Sequence, residues 1–100
     1  MAHRLVYSPE AQADLIGLYQ YIAERSSPGR ALSYVERIEA ACRTLAVFPR
    51  RGIRRDDLYP GLRMTSVARR VAVAMLVDGD EVRIIRVLYG GRDLAAAFPD

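Results

Sequence analysis

The chain has 100 residues, of which 51% are hydrophobic, and it contains no low-complexity tract. This length and composition exclude a multidomain or disordered chain, and we expect residues 1–100 to form a single small domain. The formal charge is +3 and all fifteen basic residues are arginine, which suits paired contacts with carboxylate or phosphate, although a GC-rich genome would give the same bias.

The first predicted elements are a short strand over residues 4–7 and a helix that follows it. Ser8 is a good N-cap, and Pro9 suits the first helical position. Apolar residues recur at helical spacing through Ala11, Leu15, Leu18, Tyr19 and Ile22. Ile16 widens this stripe beyond one face. A helix with so broad an apolar surface is either deeply buried or docks a partner.

A second helix is predicted to begin in the same way, at Ser27 and Pro28, and to end before Pro49. Its apolar stripe consists of Ala31, Val35, Ile38, Cys42 and Leu45. Two helices joined by so short a turn must be antiparallel neighbours, so the pair is a helical hairpin. Cys42 is predicted to be a core thiol.

Three strands are predicted after a polar connection over residues 50–61. They cover residues 62–67, 71–77 and 81–89, with a hairpin turn at Asp78-Gly79-Asp80. The predicted fold is therefore α+β with the order β-α-α-β-β-β: an antiparallel sheet with an N-terminal helical hairpin packed on one face.

The alternation of side chains along these strands predicts a cationic face. Bulky residues (Leu62, Met64, Val71, Val73, Met75, Ile85, Val87) are assigned to the core against the helices. The other parity places Arg63, Arg70 and Arg86 on the uncovered face, around Ala72, Ala74 and Thr65. This surface suits an anionic partner, and three solvated arginines on an exposed face are the alternative.

The sequence offers little for catalysis or metal binding. With Cys42 and His3 as its single cysteine and histidine, a disulfide within the chain and a Cys/His zinc site are excluded, and we expect no metal and no cofactor. Aspartates in the turns are explained by turn chemistry. The longest apolar run, residues 71–77, is too short to cross a bilayer, and no signal peptide is recognised. We expect no membrane association and a cytoplasmic protein.

Several segments form a pattern that covers nearly the whole chain. They are Leu5-Val6-Tyr7-Ser8-Pro9-Glu10-Ala11, Ala13-Asp14-Leu15, Tyr21-Ile22-Ala23, Phe48-Pro49-Arg50-Arg51-Gly52, Tyr59-Pro60-Gly61-Leu62-Arg63 and Ile85-Arg86-Val87-Leu88-Tyr89-Gly90-Gly91-Arg92-Asp93-Leu94. In this order and spacing they resemble the ParE toxins of bacterial type II toxin–antitoxin and plasmid stabilisation systems, within the wider ParE/RelE superfamily.

The resemblance implies a toxin that inhibits DNA gyrase by stabilising its cleaved-DNA state, whereas the RelE branch cleaves mRNA in the ribosome. Arg63 and Arg70 match basic residues of the RelE branch. However, Tyr89-Gly90-Gly91 stands where that branch has a further arginine, and residues 95–98 (Ala-Ala-Ala-Phe) lack its tyrosine or histidine. These departures favour a non-enzymatic ParE toxin. The alternatives are a RelE-type mRNA endonuclease and a non-toxic or degenerate binding partner.

The resemblance also implies a cognate antitoxin, a ParD-like ribbon-helix-helix protein that forms a hetero-oligomer with the toxin and makes any DNA contact indirect. We expect its helix in a groove formed by Leu15, Leu18, Tyr19 and Ile22. Its acidic tail is expected on the sheet face of Arg63, Arg70, Arg86, Tyr89 and Arg92. The run from Arg50 to Arg55 either contacts DNA or is a solvated loop.

Overall fold

The computed structural model describes residues 3–68 and 70–90, which form two helices and one five-stranded sheet. The elements are β1 (Arg4–Tyr7), α1 (Pro9–Arg25), α2 (Pro28–Val47), β2 (Ile53–Arg54), β3 (Arg63–Ala68), β4 (Val71–Asp78) and β5 (Glu81–Tyr89). The predicted α+β fold is confirmed. The short strand β2 was not predicted, because its two residues lie within a polar segment that reads as a loop.

Both helices begin where the sequence indicates, and for the predicted reason. The Ser8 hydroxyl accepts a hydrogen bond from the Ala11 N–H at 3.0 Å, and the Ser27 hydroxyl accepts one from the Arg30 N–H at 3.1 Å. Each serine is followed by a proline in the first turn of its helix. The side chains therefore satisfy backbone donors that have no partner within the helix, and the Ser27 cap fixes the start of α2 directly after the turn that follows α1.

The sheet is mixed, whereas a wholly antiparallel sheet was predicted. Its strand order is β1-β5-β4-β3-β2. The pairs β5–β4, β4–β3 and β3–β2 are antiparallel, but β1 is parallel to β5, with Leu5 opposite Val82. Local patterns did not indicate this pairing because it joins the two ends of the chain. The parallel arrangement places the start of α1 beside β5, since the Ser8 N–H donates to the Ile84 carbonyl at 2.9 Å.

Two apolar clusters lie on opposite faces of the sheet. The first packs α1 and α2 on the sheet and includes Leu18, Ile38, Cys42, Val73, Met75 and Ile84. The second consists of Leu62, Met64, Ala74 and Leu88, with Leu58 packed against it. The assignment of Leu62 and Met64 to the helix-facing core was therefore wrong. Met64 pairs with Ala74, and Thr65 with Val73, so alternation within β3 is opposite to the predicted one.

Candidate functional site

An ion pair with little solvent exposure joins β5 to α1. The Asp14 carboxylate accepts hydrogen bonds from Nε and Nη2 of Arg86 at 2.7 and 2.9 Å, and from the Val87 N–H at 2.9 Å. The two side chains are only 8% (Asp14) and 20% (Arg86) exposed. The hydrogen bond to Asp14 raises the pKa of the Arg86 guanidinium, so Arg86 stays charged at any working pH.

Arg86 is therefore not an open cation beside Arg63 and Arg70, although the ladder places it opposite Ala74, on the side of the sheet that was predicted. Met75 lies opposite Ile84, which leaves Ile85 as an extra residue in a β-bulge. The bulge reverses the predicted face of Ile85, which packs with the cluster of Leu62 rather than in the helix-facing core. Arg86 is paired with a carboxylate of its own chain, so its charge is not available to an acidic segment of another protein.

The other predicted cations also lie apart from one another. Arg63 begins β3, and Arg70 follows the far end of that strand, at the turn into β4. Arg70 is exposed and has a φ of +68°, as the tight hairpin turns that match the twist of a sheet require. Arg63 donates a long hydrogen bond of 3.4 Å to the Arg50 carbonyl. Arg92 lies outside the described residues.

A cleft of about 530 Å³ lies between α1 and the ends of β4 and β5. Gly17 and Tyr21 of α1 form one wall, and Arg70, Tyr89 and Gly90 form the other. The Gly90 N–H donates to the Arg70 carbonyl at 2.9 Å, which ties that second wall together. We call this site the tyrosine cleft. It brings together two of the predicted binding residues, Arg70 and Tyr89.

Aromatic rings and arginines cluster at the rim of the tyrosine cleft. Tyr89 lies between Tyr21 and Tyr34, with ring centroids 5.8 and 6.1 Å apart, and the Tyr34 contact is edge-on. The Arg25 guanidinium lies 3.8 Å from the centroid of Tyr21, a cation–π geometry. Burial is the main cause of a raised pKa at Tyr34. The three rings therefore form one aromatic cluster, and positive charge flanks it.

The predicted groove residues on α1 face mostly inward. Leu18 is only 6% exposed and belongs to the main core, and Leu15 and Ile22 pack against that core from partly buried positions. Tyr19 is half-buried. The exposed apolar surface of α1 consists instead of Ile16, at 60%, and Tyr21, at 44%. An open groove formed by the four predicted residues is not present.

Sequence reasoning missed three residues of this region, Asp14, Gly17 and Tyr21. Two signals were available. Asp14 is a carboxylate beside the apolar stripe of α1. An uncompensated charge is unfavourable there, so the sequence indicates a basic partner. Gly17 and Tyr21 are four residues apart on one helix face, and a glycine in mid-helix calls for a packing or functional reason.

The groups of the tyrosine cleft that could accept a proton or bind a metal can be named from its lining residues. Its carboxylate, Asp14, is already occupied by Arg86 and Val87. The only histidine of the sequence, His3, lines a different cleft. Within residues 3–68 and 70–90, no three potential metal ligands lie together. No helix in the same ranges has the length and apolarity needed to span a bilayer.

Comparison with known proteins gives a consistent result. The family model for the ParE toxin of the type II toxin–antitoxin system parDE matches residues 5–94. Toxin ParE3 of Caulobacter vibrioides is 34% identical over 93 residues, which are 93% of this chain and 92% of that protein. Toxin ParE1 of Mycobacterium tuberculosis is 27% identical over 94 residues, covering 94% and 96% of the two chains.

Solved structures share the fold. A chain of the chromosomal ParDE system from P. aeruginosa superposes with a TM-score of 0.77 at 26% identity, covering 88% of this chain and 96% of that one. A chain of the RelBE2 toxin–antitoxin complex of Mycobacterium tuberculosis gives a TM-score of 0.61 at 19% identity, with coverages of 90% and 100%. The second similarity concerns the fold alone.

Proposed function

Because this chain belongs to the ParE toxin family of type II toxin–antitoxin systems, we propose that it inhibits DNA gyrase by binding and has no catalytic residues of its own. A cognate ParD-type ribbon-helix-helix antitoxin neutralises it in a hetero-oligomer. Both partners act in the cytoplasm, and contact of the complex with operator DNA runs through the antitoxin.

The observation that carries this proposal is the composition of the tyrosine cleft. General acid–base cleavage of RNA needs a proton acceptor, a proton donor and cations around the phosphate. The cleft supplies the cation Arg70 and the phenols of Tyr21 and Tyr89. Among the described residues that line the cleft, no free base is present, because Asp14 is tied to Arg86, and the sequence after Tyr89 contains no histidine or tyrosine. Rigid aromatic rings and arginine are instead typical of protein-binding hot spots.

The direct test is supercoiling by purified gyrase in the presence of the purified toxin. We expect inhibition of supercoiling and accumulation of cleaved DNA. Growth arrest by a protein that leaves supercoiling untouched would refute the gyrase proposal. Codon-positioned mRNA cuts on induction would establish the ribonuclease instead, and normal growth under strong expression without antitoxin would indicate a non-toxic binding partner.

Gly17 allows the cleft to be tested separately. A Cβ added at Gly17 meets no atom within 4 Å, so Gly17→Phe should fill the cleft without disturbing the core. We expect this variant to lose inhibition of gyrase. Gly17→Ala is the matched control, since it keeps the cleft open and raises helix propensity by about 1 kcal/mol. Equal inhibition by both variants would mean that the cleft does not contact the target.

We propose that the antitoxin helix docks on the outer side of α1, where Ile16 is exposed and Tyr19 half-buried. Its acidic tail then reaches Arg70 rather than Arg86, because Asp14 already neutralises Arg86. Ile16→Ser should weaken the complex at least tenfold, since burying such a side chain contributes about 1.5 to 3 kcal/mol. Ile53→Ser, at a residue 71% exposed on β2, is the control, and equal affinities in calorimetry would place the antitoxin elsewhere.

A further inference from the structure

A second cleft, of about 460 Å³, lies at the other end of β3 from the tyrosine cleft. It is lined by His3, by Arg50, Arg54 and Arg63, and by Gly61 and Gly79. We call it the arginine cleft, and we propose that it binds the phosphate groups of a nucleic-acid backbone. The two clefts share no lining residue, so this proposal does not depend on gyrase inhibition.

Two of the arginines in this cleft are available for a ligand. Five arginines of the described residues form ion pairs within the fold, among them Arg4 with Glu81 and Arg86 with Asp14. Neither Arg50 nor Arg63 forms an ion pair within residues 3–68 and 70–90. Guanidinium groups bind phosphate oxygens through two parallel hydrogen bonds. The arginine cleft therefore concentrates positive charge without its own counter-ion at these two positions.

The third arginine is held in place by the chain itself. Nη2 of Arg54 lies 3.0 Å from the Asp56 carboxylate, which also accepts the Gly61 N–H at 2.8 Å. These bonds fix the loop that forms one wall of the cleft. The hydrogen bond from Gly61, followed by that from Arg54, lowers the pKa of Asp56. This carboxylate therefore stays charged at neutral pH and keeps both hydrogen bonds that hold the loop.

His3 adds an unsatisfied polar group to the same cleft. Its Nδ1 is buried and has no hydrogen-bond partner within residues 3–68 and 70–90, while its backbone N–H is bonded to the Ala46 carbonyl at 2.8 Å. A buried polar atom without a partner is unfavourable. Because this nitrogen is covered by protein, the charge of the arginines remains the basis of phosphate binding in the cleft.

The lining favours a nucleic-acid backbone over an acidic peptide. Peptides gain much of their affinity by placing side chains in apolar pockets, and this cleft offers only Pro49 and Val77 as apolar walls. Gly61 and Gly79 present no side chains, which lets a sugar–phosphate chain approach closely. Phosphate contacts need little apolar surface, because their affinity is mainly electrostatic.

The test is fluorescence anisotropy of the full-length protein with a labelled duplex of about 20 base pairs, at several salt concentrations between about 50 and 200 mM. We expect Arg63→Gln and Arg50→Gln each to weaken binding by about tenfold and to reduce the slope of log K against log salt by about one. Arg30→Gln removes the same charge from an exposed position on α2 and should leave both quantities close to wild type.

Several outcomes would overturn the proposal. An equal effect of Arg30→Gln and the two cleft variants would mean that net charge alone attracts DNA. A polyglutamate peptide that binds more tightly than the duplex, with the same dependence on Arg63, would assign the cleft to an acidic peptide.

Gly17→Phe separates the two clefts, because it should abolish gyrase inhibition while leaving DNA binding intact. Arg50→Gln and Arg63→Gln are measured as separate variants, so that a folding defect in one of them still leaves the other as a test.

Discussion

Replacing Asp14 by alanine should destabilise the protein strongly. The substitution removes both acceptors of the Arg86 guanidinium and the acceptor of the Val87 N–H. Breaking a buried ion pair from one side costs about 3 to 5 kcal/mol, and the partial exposure of Arg86, at 20%, places the expected loss at about 3 kcal/mol. For a domain of this size, that loss lowers Tm by about 12 to 24 °C.

The assay is urea unfolding followed by circular dichroism, with calorimetric Tm as a second measure. Asp14→Ala/Arg86→Met should be more stable than Asp14→Ala alone, because the double variant no longer buries a guanidinium that has lost its carboxylate. The matched control is Glu81→Ala. It breaks ion pairs to Arg4 and Arg83, whose side chains are 70% and 51% exposed, and it should cost less because solvent screens such pairs.

Two results would refute this reasoning. If Asp14→Ala costs no more stability than Glu81→Ala, Arg86 turns to solvent after the loss of its carboxylate and the buried charge does not set the cost. A double variant as unstable as Asp14→Ala would show that the orphaned Val87 N–H, and not the guanidinium, sets the cost.

Arg86→Glu should also unfold the protein, since it would place two carboxylates together, so it is unsuitable as a probe of antitoxin binding.

Other predictions concern the turn before β2, the core thiol and the arginine cleft. Gly52→Ala should cost at least about 2 kcal/mol in urea unfolding, because Gly52 has a φ of +84° and an added Cβ would clash with β3. Burial raises the pKa of the Cys42 thiol, so a thiol reagent should modify the native protein far more slowly than the unfolded chain. In a carboxyl NMR titration, Arg54→Gln should leave the pKa of Asp56 still lowered, because the Gly61 N–H is the larger cause. The stability that Asp56 contributes is present above its unfolded pKa of about 4 and is lost as pH falls through the lower folded value.

Much of the fold followed from local sequence, and the part that did not has a common cause. Both serine caps, the helical hairpin and strand β5 were placed correctly, since each depends on residues close together in the chain. The face of Ile85 was wrong because one bulge reverses the alternation of a strand. The tyrosine cleft could be anticipated only in part, as Tyr21 and Tyr89 come from elements 68 positions apart, whose contact depends on the packing of α1 on β5.

The sequence by itself determined the two helices, every strand except β2, the buried stripes of the helices and the family, because these depend on local spacing and on the order of motifs along the chain. The tertiary structure alone decided which arginines are available. Arg86 is neutralised by a carboxylate 72 residues away, whereas Arg63 and Arg70, close in sequence, lie in separate clefts. The function of a charged residue depends on whether folding brings it a partner, and that is a property of distance in space, not of position in the chain.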